Sequence, residues 1–306
     1  MNKKYIIALV IAIVAVAITA IIAIPRHAPQ KTQKLPVVTS FYPLYFFAEQ
    51  IGGDKIEATN ITPAGAEPHD YEPTAQDLTR IENSKLLILN GGGLETWGER
   101  VQHNIDQKNT LIIIAGQNLA TQHIPENGKD IADPHIWLAP PLTILMADKI
   151  EAGLAQADPD NAAYYESNAR ILKSMLRDLD GAYREGLANC TQHYIVTSHA
   201  AFGYLSTAYH LNQVSITGIS PDTEPSPQQL AEIAKFAKNN HIMYIFFESL
   251  ASPKLSQTIA TEVGAQTMAL NPIEGLTEDQ IASGKNYFTE MRENLANLKT
   301  ALQCTQ

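Results

Sequence analysis

The chain has 306 residues, 45% hydrophobic and 18% charged. That length and composition fit one large domain or two medium lobes and exclude collagen, coiled coil and global disorder. Its 22 Lys and Arg against 32 Asp and Glu leave a formal charge of −10, without the basic footprint that a phosphate-backbone partner requires, so nucleic acid is excluded.

The charge is uneven along the chain. Lys3, Lys4, Arg26, Lys31 and Lys34 precede Leu35 in a segment without Asp or Glu, which leaves the remainder with 17 cations against 32 anions, or −15. Between them, Tyr5 to Ile24 is an apolar run of 20 residues, enough for a helix to cross ~30 Å of hydrocarbon. We read it as an uncleaved N-terminal membrane helix. The alternative is a cleaved secretory signal, whose apolar core usually runs ~7–15 residues. No Cys lies near its end to carry a lipid. The polar stretch Arg26 to Lys34, with Pro25 and Pro29, reads as a tether, so residues 1–34 form an anchor or signal plus tether.

The folded part is expected to begin at Leu35. Short β-branched runs follow at Pro36 to Ser40, Lys55 to Ile61, Lys85 to Asn90 and Thr110 to Ala115, separated by helix-like stretches. That alternation predicts an α/β fold with a mainly parallel sheet flanked by helices. A second series at His193 to Ser198, Asn212 to Thr217 and Ile242 to Ser249 predicts a second such lobe. Between the two, Asp158 to Leu187 places Leu172, Met175, Leu176, Leu179, Tyr183 and Leu187 on one face, which predicts a single long helix of ~45 Å joining the lobes. The expected division is a lobe over 35–157, a connecting helix over 158–189 and a lobe over 190–306.

Only Cys190 and Cys304 occur. They allow one bridge in an oxidising compartment, but spacing alone does not show that they meet, and two unpaired thiols remain the other reading.

Of nine histidines, His27, His103, His123, His210 and His241 sit in polar or helix-end contexts and His193 opens an apolar strand. None of the six needs a special role. His69 in EPHDYEP, His135 in DPHIWLAP and His199 directly after HYIVTS follow apolar segments or lie in turn-rich loops, where α/β folds place their ligands. Glu248 ends the strand IMYIFFES, and a carboxylate beside Phe246 and Phe247 is costly to bury without a cation or strong donors. Three imidazoles and one carboxylate, two groups from each lobe, complete a four-coordinate N₃O site suited to Zn²⁺. The sequence has no HExxH, no CxxC and no close His pair, so spacing alone is a weak metal signature.

At these residues the chain resembles the zinc/manganese substrate-binding proteins of ABC transporters (the cluster A-I metal-binding family), from about Leu35 to Leu302. The three His motifs carry the resemblance, together with NGGGLETW (Asn90 to Trp97), GISPDTEPSPQQL (Gly218 to Leu230), ESLASPKLSQTIATEVGA (Glu248 to Ala265) and NYFTEMRENLANLKTAL (Asn286 to Leu302). The resemblance implies two α/β lobes joined by one helix, with metal ligands at His69, His135, His199 and Glu248, the zinc pattern rather than the manganese one. It further implies an extracytoplasmic, non-catalytic monomer that captures Zn²⁺, with Mn²⁺ as the alternative, and delivers it to an ABC permease. Acceptors behind the ligands should fix the imidazole tautomers, with Glu67, Asp70, Glu72 and Asp133 as nearby candidates and solvated loop acids as the other reading of these four. The His-rich loop that many zinc members carry before the second ligand is missing: only His123 stands there. A surface adhesin on the same fold and a zinc hydrolase with an open coordination position are the competing readings.

Overall fold

The computed structural model describes residue 3 and residues 34–105, 109–126 and 128–305. The apolar run Tyr5 to Ile24 lies outside the described residues, and among those described no helix is long and apolar enough to cross a membrane. The body forms one compact unit from Lys34 onward.

Its first half is a parallel sheet of β1 (Leu35–Thr39), β2 (Ile56–Asn60), β3 (Leu86–Leu89) and β4 (Leu111–Ile114), in the order β2-β1-β3-β4. Every residue of β3 is buried, as a central strand covered on both faces requires, which is why the sequence there is a plain apolar run. Helices α1 (Tyr42–Gly52), α2 (Ala75–Asn83) and α3 (Gly98–Asn104) connect the strands. After β4 the chain forms an antiparallel hairpin, β5 (His123–Glu126) with β6 (Lys129–Ala132), and then helices α4 (Pro140–Ala157) and α5 (Ala162–Gly186).

The second half repeats the plan with β7 (Tyr194–Thr197), α6 (Gly203–Ala208), β8 (Asn212–Ser215), α7 (Pro227–Asn239), β9 (Tyr244–Phe247), α8 (Lys254–Val263) and β10 (Gln266–Ala269). Its strands are again parallel, in the order β8-β7-β9-β10. Both sheets therefore have the same winding, with the direction of strand addition reversing between the first strand and the third. Open α/β sheets bind ligands outside the carboxyl ends of the strands at such a reversal. His199 stands just past β7 and Glu248 directly past β9.

The long helix is shorter than its sequence pattern. Pro159–Asn161 forms a separate turn of 3₁₀ helix, and Tyr165 Oη donates to Asp158 Oδ2 across it at 2.6 Å. α5 then runs for 25 residues, about 37 Å. Its buried stripe is Tyr165, Ala169, Leu172, Leu176, Leu179 and Tyr183.

The last elements are α9 (Glu278–Ala282) and α10 (Tyr287–Ala301). Expected within the C-terminal lobe, α10 instead also closes over the first half. The Tyr287 ring lies 4.9 Å from Phe47 and 6.0 Å from Phe46 of α1, and Tyr183 Oη donates to Met291 O at 2.7 Å. One apolar cluster consequently runs from Leu35 through Tyr183 to Leu302.

Cys190 and Cys304 face each other in an isolated antiparallel bridge and are joined as a disulfide, closing 114 residues of sequence. Restricting the unfolded chain over a loop of that size favours the folded state. Replacing both Cys190 and Cys304 by Ser is expected to lower unfolding stability by ~2–4 kcal/mol, read as a lower denaturant midpoint; coincident midpoints would show that the bridge contributes nothing.

Candidate metal site

His69, His135, His199 and Glu274 each offer one ligand atom, and the four atoms lie within 4.8 Å of one another. His135 Nε2 is 3.2 Å from His69 Nε2 and 3.2 Å from His199 Nε2. Glu274 Oε1 is 3.0 Å from His135 Nε2, 3.2 Å from His199 Nε2 and 3.5 Å from His69 Nε2. Four ligands at zinc's bond lengths of ~2.0–2.1 Å sit about 3.3 Å apart at the corners of a tetrahedron. The observed separations are the edges of such a figure. All four side chains are buried, and His69, at 8% exposure, is the most open.

Carboxylates fix two of the imidazoles. Asp133 Oδ1 accepts from the backbone N–H of His135 at 2.9 Å and lies 2.7 Å from its Nδ1, which leaves Nε2 for the centre of the cluster. Glu248 does the same for His199, with both oxygens 2.9 Å from Nδ1. The His199 carbonyl is pinned by Thr197 Oγ1 and Gln213 Nε2. Around the His135 loop, Asn90 Nδ2 donates to Pro134 O and Tyr204 Oη to Asp133 O.

Residues 37–301 match the family described as "ZnuA: Zinc-uptake complex component A periplasmic". The chain belongs to this family. The family is one of uptake components, not of enzymes. Among its relatives, the high-affinity zinc uptake system protein ZnuA of Bacillus subtilis is 37% identical over 286 residues, covering 90% of each chain. The crystal structure of the Zn(II)-bound ZnuA-like domain of Streptococcus pneumoniae AdcA is 39% identical with a TM-score of 0.76, covering 88% of this chain and 99% of that one. The chain spans only 56% of the whole AdcA lipoprotein of that species. The laminin-binding protein Lmb of Streptococcus agalactiae, described as bifunctional with adhesin and metal transporting activity, is 32% identical with a TM-score of 0.79, covering 88% of this chain and 100% of that one.

Opposing charges set the electrostatics of this family member's cluster. Burial disfavours the charged form of His199, but Glu248 and Glu274 outweigh it and hold the imidazole well above its ordinary range. The same contest raises His135, through Asp133 and Glu274. His69 goes the other way, because burial outweighs its contact with Glu274. Burial pushes Glu274 up, yet the charge of His199 and hydrogen bonds from all three imidazoles hold it well below the usual carboxylate range.

Glu248, expected as the fourth ligand, stands differently from the three histidines. Glu248 does not reach the centre of the cluster: it lies behind His199, on the Nδ1 side, and Glu274 takes the position facing the three Nε2 atoms. Glu274 sits in the loop after β10, an edge strand of four residues with no apolar run to announce it. The nearby acids divide. Asp133 holds His135, and Glu67 Oε1 accepts from the His69 backbone N–H at 3.3 Å. Glu72 instead pairs with Arg100 at 2.6 Å on the exposed surface, and Asp70 shares a hydrogen bond with Asp222.

Burial, with the Glu274 charge nearby, pushes Glu67 up to about 10 from 4.5. The native protein thus keeps a proton that the unfolded chain releases, and stability falls as pH rises between those two values. Glu67→Gln removes this loss. The metal-free variant is expected to melt above the parent at pH ~8, with the difference shrinking toward pH ~5; parallel melting curves across that range would refute it.

Proposed function

We propose that this protein captures Zn²⁺ outside the cytoplasm, between its two lobes, and hands it to the permease of an ABC importer without chemical transformation. The observation that carries this reading is the convergence of three imidazole Nε2 atoms and the Glu274 carboxylate at the spacing of a tetrahedral zinc shell. His69, His135, His199 and Glu274 act as the ligands. Asp133 and Glu248 fix the tautomers of His135 and His199, as outer carboxylates do at histidine-metal sites. Three nitrogens and one oxygen suit zinc better than manganese, which prefers more oxygen.

The zinc-uptake relative in Bacillus subtilis and the Zn(II)-bound domain of Streptococcus pneumoniae support zinc as the cargo. A hydrolase would keep one coordination position for water; with Glu274 coordinating, none is left. The N-terminal apolar run serves as a membrane anchor, which places the acidic body, as a monomer, beside the permease. Adhesion would call for a surface toward a host protein rather than for a different metal site.

Metal analysis of natively expressed protein tests the cargo: bound zinc is the expected result, and recovery of manganese alone would overturn it. The ligand set is tested by competition with a chelator. His199→Ala and Glu274→Ala are expected to lower zinc affinity by orders of magnitude, whereas Glu248→Gln costs about 10–100-fold, the range for a group that orients a ligand. A loss at Glu248 exceeding that at Glu274 would reverse their roles.

Binding is also tied to pH. The carboxylates beside His135 and His199 raise both imidazoles above the ordinary range, so protons compete with zinc for them. Affinity is therefore expected to decline with falling pH from a point above the free-imidazole value of ~6.5. Calorimetry in buffers of different ionisation enthalpy should show more than one proton released per zinc; buffer-independent heats would contradict it.

A further inference from the structure

Glu274 reaches the three imidazoles from a backbone that does not favour the position. Ile273, immediately before it, has φ +57° and is fully buried. A β-branched residue in the left-handed region is strained and persists only where its surroundings hold it. Were Ile273 to relax into the extended region, the chain after it would turn and carry the Glu274 side chain out of the cluster.

Two sets of contacts oppose that relaxation. On one side, Asn271 Oδ1 accepts from Ile273 N at 2.9 Å, while Asn271 is itself held by Glu290 and by Asn294 of α10. On the other, the indole Nε1–H of Trp137 donates to Pro272 O at 2.7 Å. Trp137 comes from the opposite half of the molecule, two residues after His135, and is fully buried. Its ring lies 5.2 Å from His135 and 4.7 Å from Phe41. Its own carbonyl accepts from Tyr287 Oη at 2.6 Å and Thr143 Oγ1 at 2.9 Å. The short segment that carries His135 thus also grips the carbonyl before the strained residue.

We propose that Trp137 is a positioning residue for Glu274: its indole N–H, by holding Pro272 O, keeps Ile273 left-handed and so presets the carboxylate against the imidazoles. Trp137 touches no metal in this scheme and acts only through Glu274. The inference rests on the reading of Glu274 as a ligand, and its test separates the two.

Trp137→Phe keeps an aromatic ring and removes the donor together with part of the buried ring, which is why the comparison across two backgrounds is needed. In the full chain, zinc affinity measured against a chelator is expected to fall about 10–100-fold, the range for loss of a supporting contact. In a Glu274→Gln background the same substitution should change affinity by a factor on the order of one, because residues acting through one another are not additive. Equal factors in both backgrounds would mark Trp137 as a general packing residue and overturn the proposal. So would an unchanged affinity for Trp137→Phe where Glu274→Gln alone weakens binding. If Glu274→Gln leaves zinc affinity intact, the ligand reading itself fails and takes the proposal with it. Asn271→Ala, which releases Ile273 N from the other side, gives the same comparison should Trp137→Phe not fold.

Discussion

The organisation of the molecule depends on bringing groups that are costly to bury into one buried place. Three imidazoles and the Glu274 carboxylate meet away from solvent, with the Glu248 and Asp133 carboxylates directly behind them. No single segment could hold such a cluster, since an isolated buried carboxylate or imidazolium is strongly penalised. Two sheets of identical winding solve the problem by presenting the carboxyl ends of their strands to one another, so that each half supplies part of the compensation for the other. The common core through α1, α5 and α10 keeps the two halves in register.

The layers around the cluster differ in how they hold it. His199 is fixed locally: its carbonyl is bonded by Thr197 and Gln213, and Glu248 at the end of the neighbouring strand takes its Nδ1. His135 is fixed by its own loop through Asp133. Glu274 has the least local support, for it leaves an edge strand through a strained residue and depends on contacts from α10 and from Trp137. The one carboxylate of the four-group cluster is therefore the group whose placement is most distributed through the fold.

That difference explains what could be read from the sequence. His69, His135 and His199 were legible because each follows a strand or sits in a turn-rich loop, and the eight strands of the two parallel sheets announced themselves as β-branched runs except at β10. Glu248 was legible as a carboxylate that needed a partner, and it does have one: His199, on the face away from the cluster centre. Which side of His199 it takes was not legible, because a carboxylate at a strand end looks the same whether it faces the centre or the back of a neighbouring imidazole. Glu274 was missed because β10 reads QTMA, short and half polar, and the sequence between Asn271 and Gly275 gives no periodic signal. The hairpin β5–β6 was missed for a similar reason, being charged and interrupted by Pro125. Positions set by long-range contacts, such as the Trp137 bond to Pro272, leave no local trace.

The same cluster must be tolerable both empty and filled. Without metal, the carboxylates of Glu274, Glu248 and Asp133 raise the affinity of His135 and His199 for protons. Filled, in the reading proposed above, a dication takes their place. His69 differs, because burial lowers its proton affinity. It is also the most exposed of the four. In the proposed reading an arriving cation meets His69 first, and the carboxylates behind His135 and His199 set how strongly protons compete for the deeper positions.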